Sequence, residues 1–416
     1  MNFAIIGTGG FAGTHHKALI SLEEKGLAKL LATCDIGLRK NEAIQEKFAF
    51  GKRGVSLYDD YREMLDGEGG KVDIVIIPTP IQLHAEMHRE VVQRGLAVYL
   101  EKPPTLLHSE LDEMLKVEET AKSLTNVGFN FIIDPVRQTL KQRMLAGEFG
   151  KVLEVHFLGL WPRDDRYFNR CPWAGKLFLD NQPVIDSCMG NAMGHFLHNS
   201  LFWAGPTDLF SWAYPDQVKA EAYRAHQIES ADTFFTEITP AEGPVVRLAM
   251  THAYDGRTIQ KELVETEKAF LHYDAYGPCW LEWKGHSQEV EPLETERTMF
   301  VPENLLDYGR YVKGEKERPQ TRLADTVPFV QTYNLTFLAS RGITSVPNSL
   351  VRETKTEDAK GLSRTRHILG IEETCKTFLN EGLFPSAQNV PWSRPGETAT
   401  PEDLPKFLPF LRELDS

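Results

Sequence analysis

The chain has 416 residues, with 46 Lys and Arg against 59 Asp and Glu, so its formal net charge is −13. Hydrophobic residues make up 41% of the chain and charged residues 25%, an ordinary globular composition. This length predicts two or three domains of about 150 residues, large enough to fold without disulfides or metals. The composition excludes a disordered chain, and the acidic charge excludes a protein that binds nucleic acid through a basic face.

Targeting segments and cysteine patterns are the next features to assess. No apolar run approaches the roughly 20 residues that a membrane span requires. The chain starts on the apolar residues 3–6 with no basic segment or cleavage site before them. The five cysteines are widely spaced and form no Cys-x-x-Cys pair, so neither a disulfide framework nor a metal site is predicted. We expect a cytoplasmic protein with no membrane partner.

A glycine-rich turn follows the first predicted strand. Residues 3–6 have the pattern of a short strand, and residues 14–24 have the apolar spacing of a helix. In a dinucleotide-binding fold the first glycine makes a tight turn, the second admits the pyrophosphate, and a small residue lets the helix pack on the strand. Gly7, Gly9 and Ala12 meet these requirements. The residues predicted to contact the cofactor here are Gly7, Gly9, Gly10, Phe11 and Ala12.

The residue after the second predicted strand indicates which dinucleotide binds. Residues 29–34 form that strand, and Asp35 follows about 20 residues after the last glycine, where a carboxylate accepts from the ribose 2′-hydroxyl of NAD. Two alternatives stay open. Asp35 could cap the next helix, and Arg39 and Lys40 could hold the 2′-phosphate of NADP. The prediction is NAD, with NADP as the alternative.

Two further predicted strands end in polar residues. Residues 72–77 are apolar and β-branched apart from Asp73 and are followed by Thr79 and Pro80, and residues 97–100 run into Glu101 and Lys102. A helical pattern over residues 83–94 separates the two strands. Repeated strand–helix units predict an α/β fold with a doubly wound parallel sheet, whose ligands bind beyond the carboxyl ends of the strands.

Together these motifs resemble the glucose-fructose oxidoreductase, inositol dehydrogenase and MocA (Gfo/Idh/MocA) family. The matching features are the N-terminal glycine turn, Pro78-Thr79-Pro80 followed by His84, Glu101-Lys102-Pro103, and residues 128–130 and 146–152. The resemblance covers at least residues 1–345. It implies an N-terminal Rossmann domain and a C-terminal α/β domain with an open, largely antiparallel sheet. It also implies that Thr79, Pro80, His84, Glu101 and Lys102 contact the cofactor.

The resemblance sets the expected domain limits and assembly. We expect a Rossmann NAD-binding domain over residues 1–127, a substrate-binding and oligomerisation domain over residues 128–345, and a helical extension with an arm over residues 346–416. The second domain's sheet often forms the subunit interface in the family, so we expect a homo-oligomer, a dimer or a tetramer, through this sheet.

Lys102 corresponds to the lysine of the family's Glu-Lys-Pro motif. The resemblance implies that it orients the substrate or transfers a proton near the nicotinamide. A lysine in a partly desolvated cleft has a lowered pKa, which suits acid–base work. The alternative is a surface lysine that pairs with Glu101.

A loop rich in aromatic and charged residues follows the strand predicted at residues 152–160. Aromatic faces cover the C–H surfaces of sugars, while arginines and carboxylates make directed hydrogen bonds to hydroxyls. We predict Arg163, Tyr167 and Trp173 as a substrate-binding set. The alternative is a structural loop with internal salt bridges.

A predicted helix carries Asn191, His195 and His198 on one face, because these residues are four and three positions apart. The family usually has Asp-x-Gly-x-His-x-x-Asp here, and this chain keeps the histidine but replaces both aspartates. Because an amide cannot take a proton, the base must be His195, Lys102 or Asp186, and we favour His195. We predict Lys102, His195 and Asp186 as catalytic residues, with Asp186 orienting His195 or a hydroxyl. We predict that Asn191 and His195 bind substrate, and that His198 lines the pocket. The alternative is that His195 is a buried structural histidine.

The rest of the chain predicts an antiparallel sheet and a helical end. The predicted strands are residues 231–238, 245–254, 260–266, 269–273 and 280–284, the predicted helices are residues 326–339 and 365–380, and residues 385–405 form a polar, proline-rich arm.

Three functions compete on these observations. The first is an NAD-dependent dehydrogenase that oxidises a carbinol of a sugar, glycoside or cyclitol. The second is a redox-neutral glycoside hydrolase or lyase in which transient oxidation is reversed in place. The third is a non-catalytic dinucleotide-sensing protein, against which the retention of Lys102 and His195 argues.

Overall fold

The computed structural model describes residues 1–285, 290–294, 298–359 and 361–415, which fall into two units. The first unit consists of Met1–Thr105, Ser109–Ile133 and Met299–Val327, and the second of Leu106–His108, Asp134–Thr298 and Pro328–Ser416.

These units differ from the predicted domains. Residues 128–133 belong to the first unit and residues 106–108 to the second. Residues 299–327 return to the first unit, because Leu305 and Tyr308 are buried in the same core as Phe3 and Tyr99. Residues 346–416 are part of the second unit and do not form a separate extension.

The first unit contains a six-stranded sheet in the order β3-β2-β1-β4-β5-β6, and every pairing in it is parallel. Its strands are β1 (Asn2–Ile6), β2 (Lys29–Cys34), β3 (Ser56–Tyr58), β4 (Ile74–Ile77), β5 (Ala97–Leu100) and β6 (Asn126–Val127). Its helices are α1 (Ala12–Glu24), α2 (Glu42–Lys47), α3 (Phe50–Arg53), α4 (Tyr61–Glu68), α5 (His84–Gln93), α6 (His108–Glu118) and α10 (Val301–Val312). The predicted doubly wound parallel sheet is confirmed.

The second unit contains a larger sheet in the order β16-β15-β14-β13-β7-β12-β11-β10-β17, with β20 paired to β10. Its strands are β7 (Val152–Leu160), β10 (Pro215–Arg224), β11 (Thr233–Pro240), β12 (Val245–Thr251), β13 (Ile259–Thr266), β14 (Ala269–Tyr273), β15 (Cys279–Trp283), β16 (Val290–Leu293), β17 (Thr344–Ser345) and β20 (Thr398–Ala399). Only the β7–β12 and β10–β17 pairings are parallel. The predicted, largely antiparallel sheet is confirmed.

Helices and two hairpins complete the second unit. The helices are α7 (Pro135–Leu145), α8 (Asp165–Phe168), α9 (Gly194–Ala204), α11 (Val327–Ser340), α12 (Ile371–Glu381) and α13 (Phe407–Asp415). The hairpins pair β8 (Phe178–Leu179) with β9 (Gln182–Pro183), and β18 (Val351–Asp358) with β19 (Gly361–Ile368).

Both faces of the larger sheet are covered within this unit. Consecutive residues of a strand point to opposite faces. Phe234 of β11 meets Phe337 of α11, with ring centroids 5.4 Å apart, while Phe235 meets Phe378 of α12 at 5.5 Å. Helix α12 therefore covers the face opposite α11.

The C-terminal region corrects one sequence prediction and shows where the predicted arm packs. Residues 365–368 belong to β19, and the helix predicted from residue 365 begins at Ile371, because the residues before it pair across the hairpin with β18. The predicted arm packs on its own unit. Trp392 is buried with its ring 4.7 Å from that of Tyr223, and β20 hydrogen-bonds to β10.

Among the helices that the structure describes, none has the length and apolar character needed to cross a membrane. Within the same residues, no group of three or more His, Cys, Asp or Glu side chains is arranged to hold a metal ion.

Candidate active site

The glycine turn lies between β1 and α1 at the carboxyl end of the parallel sheet. Gly7 has φ +113° and Gly10 has φ +52°, backbone conformations that side chains other than glycine rarely adopt. The Gly7 amide donates to the Cys34 carbonyl at 2.7 Å, which closes the turn against β2. A Cβ atom added at Gly9 or Gly10 would meet no atom of the described residues within 4 Å.

Helix α1 begins at Ala12 and has no acidic residue in its first turn, so no carboxylate there occupies its positive end. Open space above a glycine turn, next to a helix N-terminus, fits a dinucleotide pyrophosphate. The residues present therefore fit NAD.

Asp35 follows β2 and bonds to the glycine turn. Its Oδ2 accepts from the amide and the hydroxyl of Thr8, at 2.8 and 2.6 Å, and its Oδ1 accepts from the Ile36 amide at 2.8 Å. Asp35 does not cap the next α-helix, because the side chain of Asn41 caps α2. The helix-cap alternative is therefore wrong.

The side chain of Arg39 contacts residues of β3. Its Nε donates to the Leu57 carbonyl at 3.0 Å, and its guanidinium lies 5.5 Å from the centre of the Tyr58 ring. These contacts, together with the carboxylate of Asp35 at the turn, favour NAD over NADP.

Thr79 and His84 follow β4. A Cβ atom added at Gly7 would lie 3.8 Å from Cγ2 of Thr79, so the ends of β1 and β4 meet. The ring nitrogens of the buried His84 lie 2.9 Å from the Thr79 carbonyl and 3.0 Å from the Pro103 carbonyl. His84 thus joins the segments that follow β4 and β5. Its effect on a bound ligand is indirect, because it positions the backbone of these segments.

Glu101, predicted as a cofactor contact, faces the interior. It is 5% exposed, its Oε1 lies 2.8 Å from Nε2 of His15 in α1, and its Oε2 accepts from the Lys102 amide at 3.1 Å. A Cβ atom added at Gly128 would lie 2.8 Å from the same Oε1. The Glu101 carboxylate therefore connects the helix after the glycine turn to the backbone of Lys102. Sequence reasoning missed His15.

Replacing His15 with leucine is expected to destabilise the protein by about 1 to 3 kcal/mol, because Oε1 of the buried Glu101 would lose its hydrogen-bond partner while Oε2 keeps the Lys102 amide. Urea denaturation measures this change. His15→Gln is the matched control, since its amide can donate from near the Nε2 position, and we expect it to recover most of the loss. Equal stability of the leucine variant and the parent protein would contradict the role given to this pair.

Asp186 lies in the second unit and is 3% exposed. Its Oδ2 accepts from the Gly175 amide at 2.8 Å, its Oδ1 accepts from Nδ2 of Asn191 at 2.8 Å, and a guanidinium nitrogen of Arg170 is 3.9 Å away. The structure therefore brings together Asp186 and Asn191, two of the predicted site residues. It also places a carboxylate directly beside the position where the family usually has one.

Asn191, His195 and His198 do not share one helix, so that prediction is wrong. Asn191 belongs to a π-helical turn, Cys188–Ala192, and α9 begins at Gly194. The turn has its own cap, because the Ser187 hydroxyl accepts from the Gly190 amide at 3.0 Å.

The two histidines of α9 are both buried but lie in different surroundings. His195 is 5% exposed and sits in the first turn of the helix. His198 is fully buried, with its ring centroid 5.0 Å from that of Trp212 and 6.5 Å from that of Phe329. Burial, and then the charge of Arg137, hold the pKa of His198 well below its usual range. His198 is therefore a neutral core residue.

A buried polar network fixes α9. Arg137 donates two hydrogen bonds to Glu262, at 2.7 and 2.9 Å, and neither side chain is exposed. Glu262 also accepts from Nε1 of Trp203 at 2.6 Å and from Nδ2 of Asn199 at 3.2 Å. The ammonium of Lys141 donates to the Phe202 carbonyl at 2.6 Å, at the C-terminal end of the same helix.

The predicted substrate loop forms a ladder of alternating aromatic rings and guanidinium groups. Arg163 lies 5.2 Å from the ring centre of Trp161 and 4.7 Å from that of Tyr167, and Arg170 lies 3.8 Å from Tyr167 and 4.9 Å from Trp173. Burial raises the pKa of Tyr167 to about 12, so its hydroxyl stays protonated. Arg163, Tyr167 and Trp173 are thus parts of one assembly, which Trp161 and Arg170 complete.

His252 lies beside this ladder and was not predicted. Its Nδ1 is 2.9 Å from the Trp161 carbonyl, its ring centroid is 5.4 Å from that of Tyr167, and its buried Nε2 has no hydrogen-bond partner among the described residues. Burial, and then the charge of Arg163, lower the pKa of His252 to about 3. It is therefore neutral, with Nε2 as an acceptor when Nδ1 donates.

Residues 1–129 match a family model described as an oxidoreductase family with an NAD-binding Rossmann fold. This segment belongs to the Gfo/Idh/MocA family. Relatives of the segment include scyllo-inositol 2-dehydrogenase (NAD(+)) of Bacillus subtilis, 32% identical over 149 residues, which are 36% of this chain and 41% of that protein. D-glucoside 3-dehydrogenase of Escherichia coli is 28% identical over 157 residues, 36% of this chain and 41% of that protein. The match thus spans less than half the length of these relatives.

Solved structures of dehydrogenases share the fold over most of the chain. The WlbA dehydrogenase of Bordetella pertussis, solved with NADH and UDP-GlcNAcA, has a TM-score of 0.64 at 20% identity, covering 82% of this chain and 96% of that one. UDP-N-acetylglucosamine 3-dehydrogenase GnnA of Acidithiobacillus ferrooxidans has a TM-score of 0.62 at 17% identity, covering 80% of this chain and 95% of that one.

Proposed function

We propose that the protein is an NAD-dependent dehydrogenase that oxidises a carbinol of a sugar, glycoside or cyclitol. The observation that carries the proposal is the glycine turn, which has open space next to Gly9 and Gly10 and is hydrogen-bonded to Asp35 through Thr8. This turn lies within the segment that matches the NAD-binding family. The relatives described above act on inositols and glucosides by name, which supports the substrate class.

His195 is the proposed base that takes the hydroxyl proton, and Lys102 orients that hydroxyl and assists the transfer. NAD, when bound, accepts the hydride from the carbinol carbon. Asp186 supplies the carboxylate that Asn191 lacks, because its Oδ1 is held 2.8 Å from the Asn191 amide nitrogen. Asn191, anchored in this way, presents its amide oxygen to a substrate hydroxyl.

Arg163, Tyr167 and Trp173 are the proposed substrate-binding residues of the ladder. Their aromatic faces suit the C–H surface of a sugar ring, and the Tyr167 hydroxyl remains available as a donor near neutral pH. Nε2 of His252 adds an acceptor beside them, which a sugar hydroxyl would satisfy.

Replacing Asp35 with asparagine is expected to raise the Kd for NADH by roughly tenfold and to lower the preference for NADH over NADPH. The charged acceptor for the ribose hydroxyl, which contributes about 1.5 to 3 kcal/mol in hydrogen bonding, is weakened, and repulsion of a 2′-phosphate is removed. Fluorescence titration with both nucleotides measures the ratio without any substrate. Arg39→Met serves as a nearby control, and an unchanged NADH:NADPH ratio in the Asp35 variant would remove Asp35 from the cofactor site.

We also propose that the protein acts in the cytoplasm as a dimer or tetramer through the larger sheet. The face of that sheet covered by α12 continues onto β13–β15, where His272 and Trp280 stack with ring centroids 4.4 Å apart and are only half-buried. Light scattering of the purified protein measures the oligomeric state.

The experiment that tests the proposed activity is a panel of sugars, glycosides and inositols incubated with NAD or NADP and followed at 340 nm, with product analysis in parallel. Reduced nucleotide should appear with one group of substrates. The redox-neutral alternative gains no support from the relatives, which are named dehydrogenases, and it predicts product without accumulating NADH. The sensing alternative predicts tight nucleotide binding with no product.

A further inference from the structure

A cleft of about 1100 Å³ opens on the second unit. Its walls come from residues 168–172, 174–176, 224–229 and 345–348 and from Arg366. This volume lies at the upper end of the range for sites that hold drug-sized ligands, so the cleft can hold more than one sugar ring.

The lining of the cleft is cationic in a chain whose net charge is −13. Its charged side chains are Arg170, Lys176, Arg224, Arg366 and Glu229. Three carboxylates from outside the lining approach its side chains, because Asp186 lies 3.9 Å from Arg170, Glu353 lies 3.5 Å from Arg366, and Asp232 lies 2.7 Å from His226. Within the lining itself, four cations accompany one carboxylate.

Three guanidinium groups in the cleft are held in place before any ligand binds. Arg170 lies between the faces of Tyr167 and Trp173. Arg224 donates to the Ser345 hydroxyl at 3.0 Å, and also to two carbonyl oxygens of residues 228 and 229. Arg366 donates to Oδ1 of Asn348 at 2.5 Å and lies 3.5 Å from Glu353, and its buried Nε has no hydrogen-bond partner among the described residues. Fixed guanidinium forks match the geometry of carboxylate and phosphate oxygens.

The cleft shares a wall with the proposed catalytic segment. Gly175 lines the cleft, and its amide donates to Oδ2 of Asp186. Arg170 belongs both to the cleft and to the aromatic ladder. A single substituted sugar can therefore place one of its groups in the cleft and another near Asp186.

We propose that this cleft binds the anionic group of the substrate, a carboxylate or a phosphate, so that the substrate is an acidic sugar derivative. That the bound anion is part of the substrate rests on the proposed function, whereas the binding of an anion in the cleft does not. The two anions share the same recognition chemistry, two or more oxygens that accept from guanidinium groups.

Cys171 allows a test without NAD or turnover. It lines the cleft and is partly exposed, whereas the other four cysteines are buried. Burial raises the pKa of its thiol, so alkylation by N-ethylmaleimide is run at mildly alkaline pH and followed by mass spectrometry. Glucuronate and glucose 6-phosphate are compared with glucose at equal ionic strength, and inorganic phosphate tests the free ion.

We expect glucuronate, glucose 6-phosphate or both to slow alkylation of Cys171 at least tenfold, and glucose at the same concentration to leave the rate unchanged. Protection by only one of the two acids identifies the anion, and both results support the site. Equal protection by glucose and its acids, or protection by none of them, overturns the proposal.

Variants show whether the cations of the cleft cause the protection. The double variant Lys176→Met/Arg366→Met should raise the concentration for half-protection at least tenfold. Lys355→Met, which removes an exposed cation from β18 outside the cleft, should not change it. Protection that survives the double variant overturns the proposal. Protection of Cys171 in a protein that reduces no NAD with any substrate would refute the proposed function while leaving the anion site standing.

Discussion

Replacing His195 with alanine is expected to lower kcat by about 10² to 10⁴-fold, the usual contribution of a general base, while Kd for NADH stays nearly unchanged. The nucleotide-binding features, the glycine turn and Asp35, belong to the first unit, whereas His195 lies in the second. Turnover at saturating substrate, together with fluorescence titration by NADH, measures both quantities.

His195→Gln is the matched control for this variant. Glutamine keeps a polar side chain of similar reach but cannot take up a proton near neutral pH. We expect the glutamine variant to lose as much turnover as the alanine variant if His195 is a base. Recovery of turnover in the glutamine variant would show that His195 acts through a hydrogen bond, and full activity in both would remove it from the reaction.

Replacing Arg137 with methionine is expected to lower the free energy of unfolding by about 3 to 5 kcal/mol, because the fully buried Glu262 would lose its charge partner. Glu262 also accepts from Trp203 and Asn199 of α9, so the loss should loosen the helix that carries His195. Urea denaturation measures the stability, and turnover measured well below the unfolding transition reports the effect on the helix.

The double variant Arg137→Met/Glu262→Leu separates the buried charge from the packing. Apolar side chains that replace both members of a buried pair are often tolerated, so the double variant should be more stable than Arg137→Met alone. A single variant as stable as the parent protein would mean that the ion pair does not hold this part of the unit together.

Strands buried between neighbours were the elements that the sequence predicted best. β2, β5 and β7 have the predicted bounds, because each is a short run with apolar or β-branched residues bounded by turn residues or charges. The strand, glycine turn and helix at the start of the chain were predictable for a related reason. Gly7, Gly9 and Ala12 are neighbours in the sequence, so this part of the fold can be predicted from adjacent residues.

Elements that depend on distant partners were not predictable. Residues 301–312 form α10 in the core of the first unit, although the sequence assigns them to the second domain. Residues 365–368 have a pattern that suits a helix, but they pair across the hairpin with β18. Asn191 has helical spacing to His195, and only the Ser187 cap and the break before Gly194 show a separate turn.

The predicted catalytic and substrate-binding residues remain predictions, and the sequence analysis missed the residues that support them. Asp186 was expected to orient His195 or a hydroxyl, and the structure shows it bound to Asn191 and Gly175. His15 and Arg137 pair with carboxylates 86 and 125 residues away, and no local pattern connects such positions. Unless a family motif marks the residues, contacts between positions so far apart in the sequence can be identified only from the folded structure.

The most direct test of the account is the ratio of NADH formed to substrate oxidised, measured at 340 nm and by mass spectrometry on the substrate that turns over fastest. The account predicts one NADH for each molecule of ketone product, and loss of both signals together in His195→Ala. Substrate converted without NADH, at a rate that still requires added NAD, would contradict net oxidation and establish the redox-neutral reaction instead.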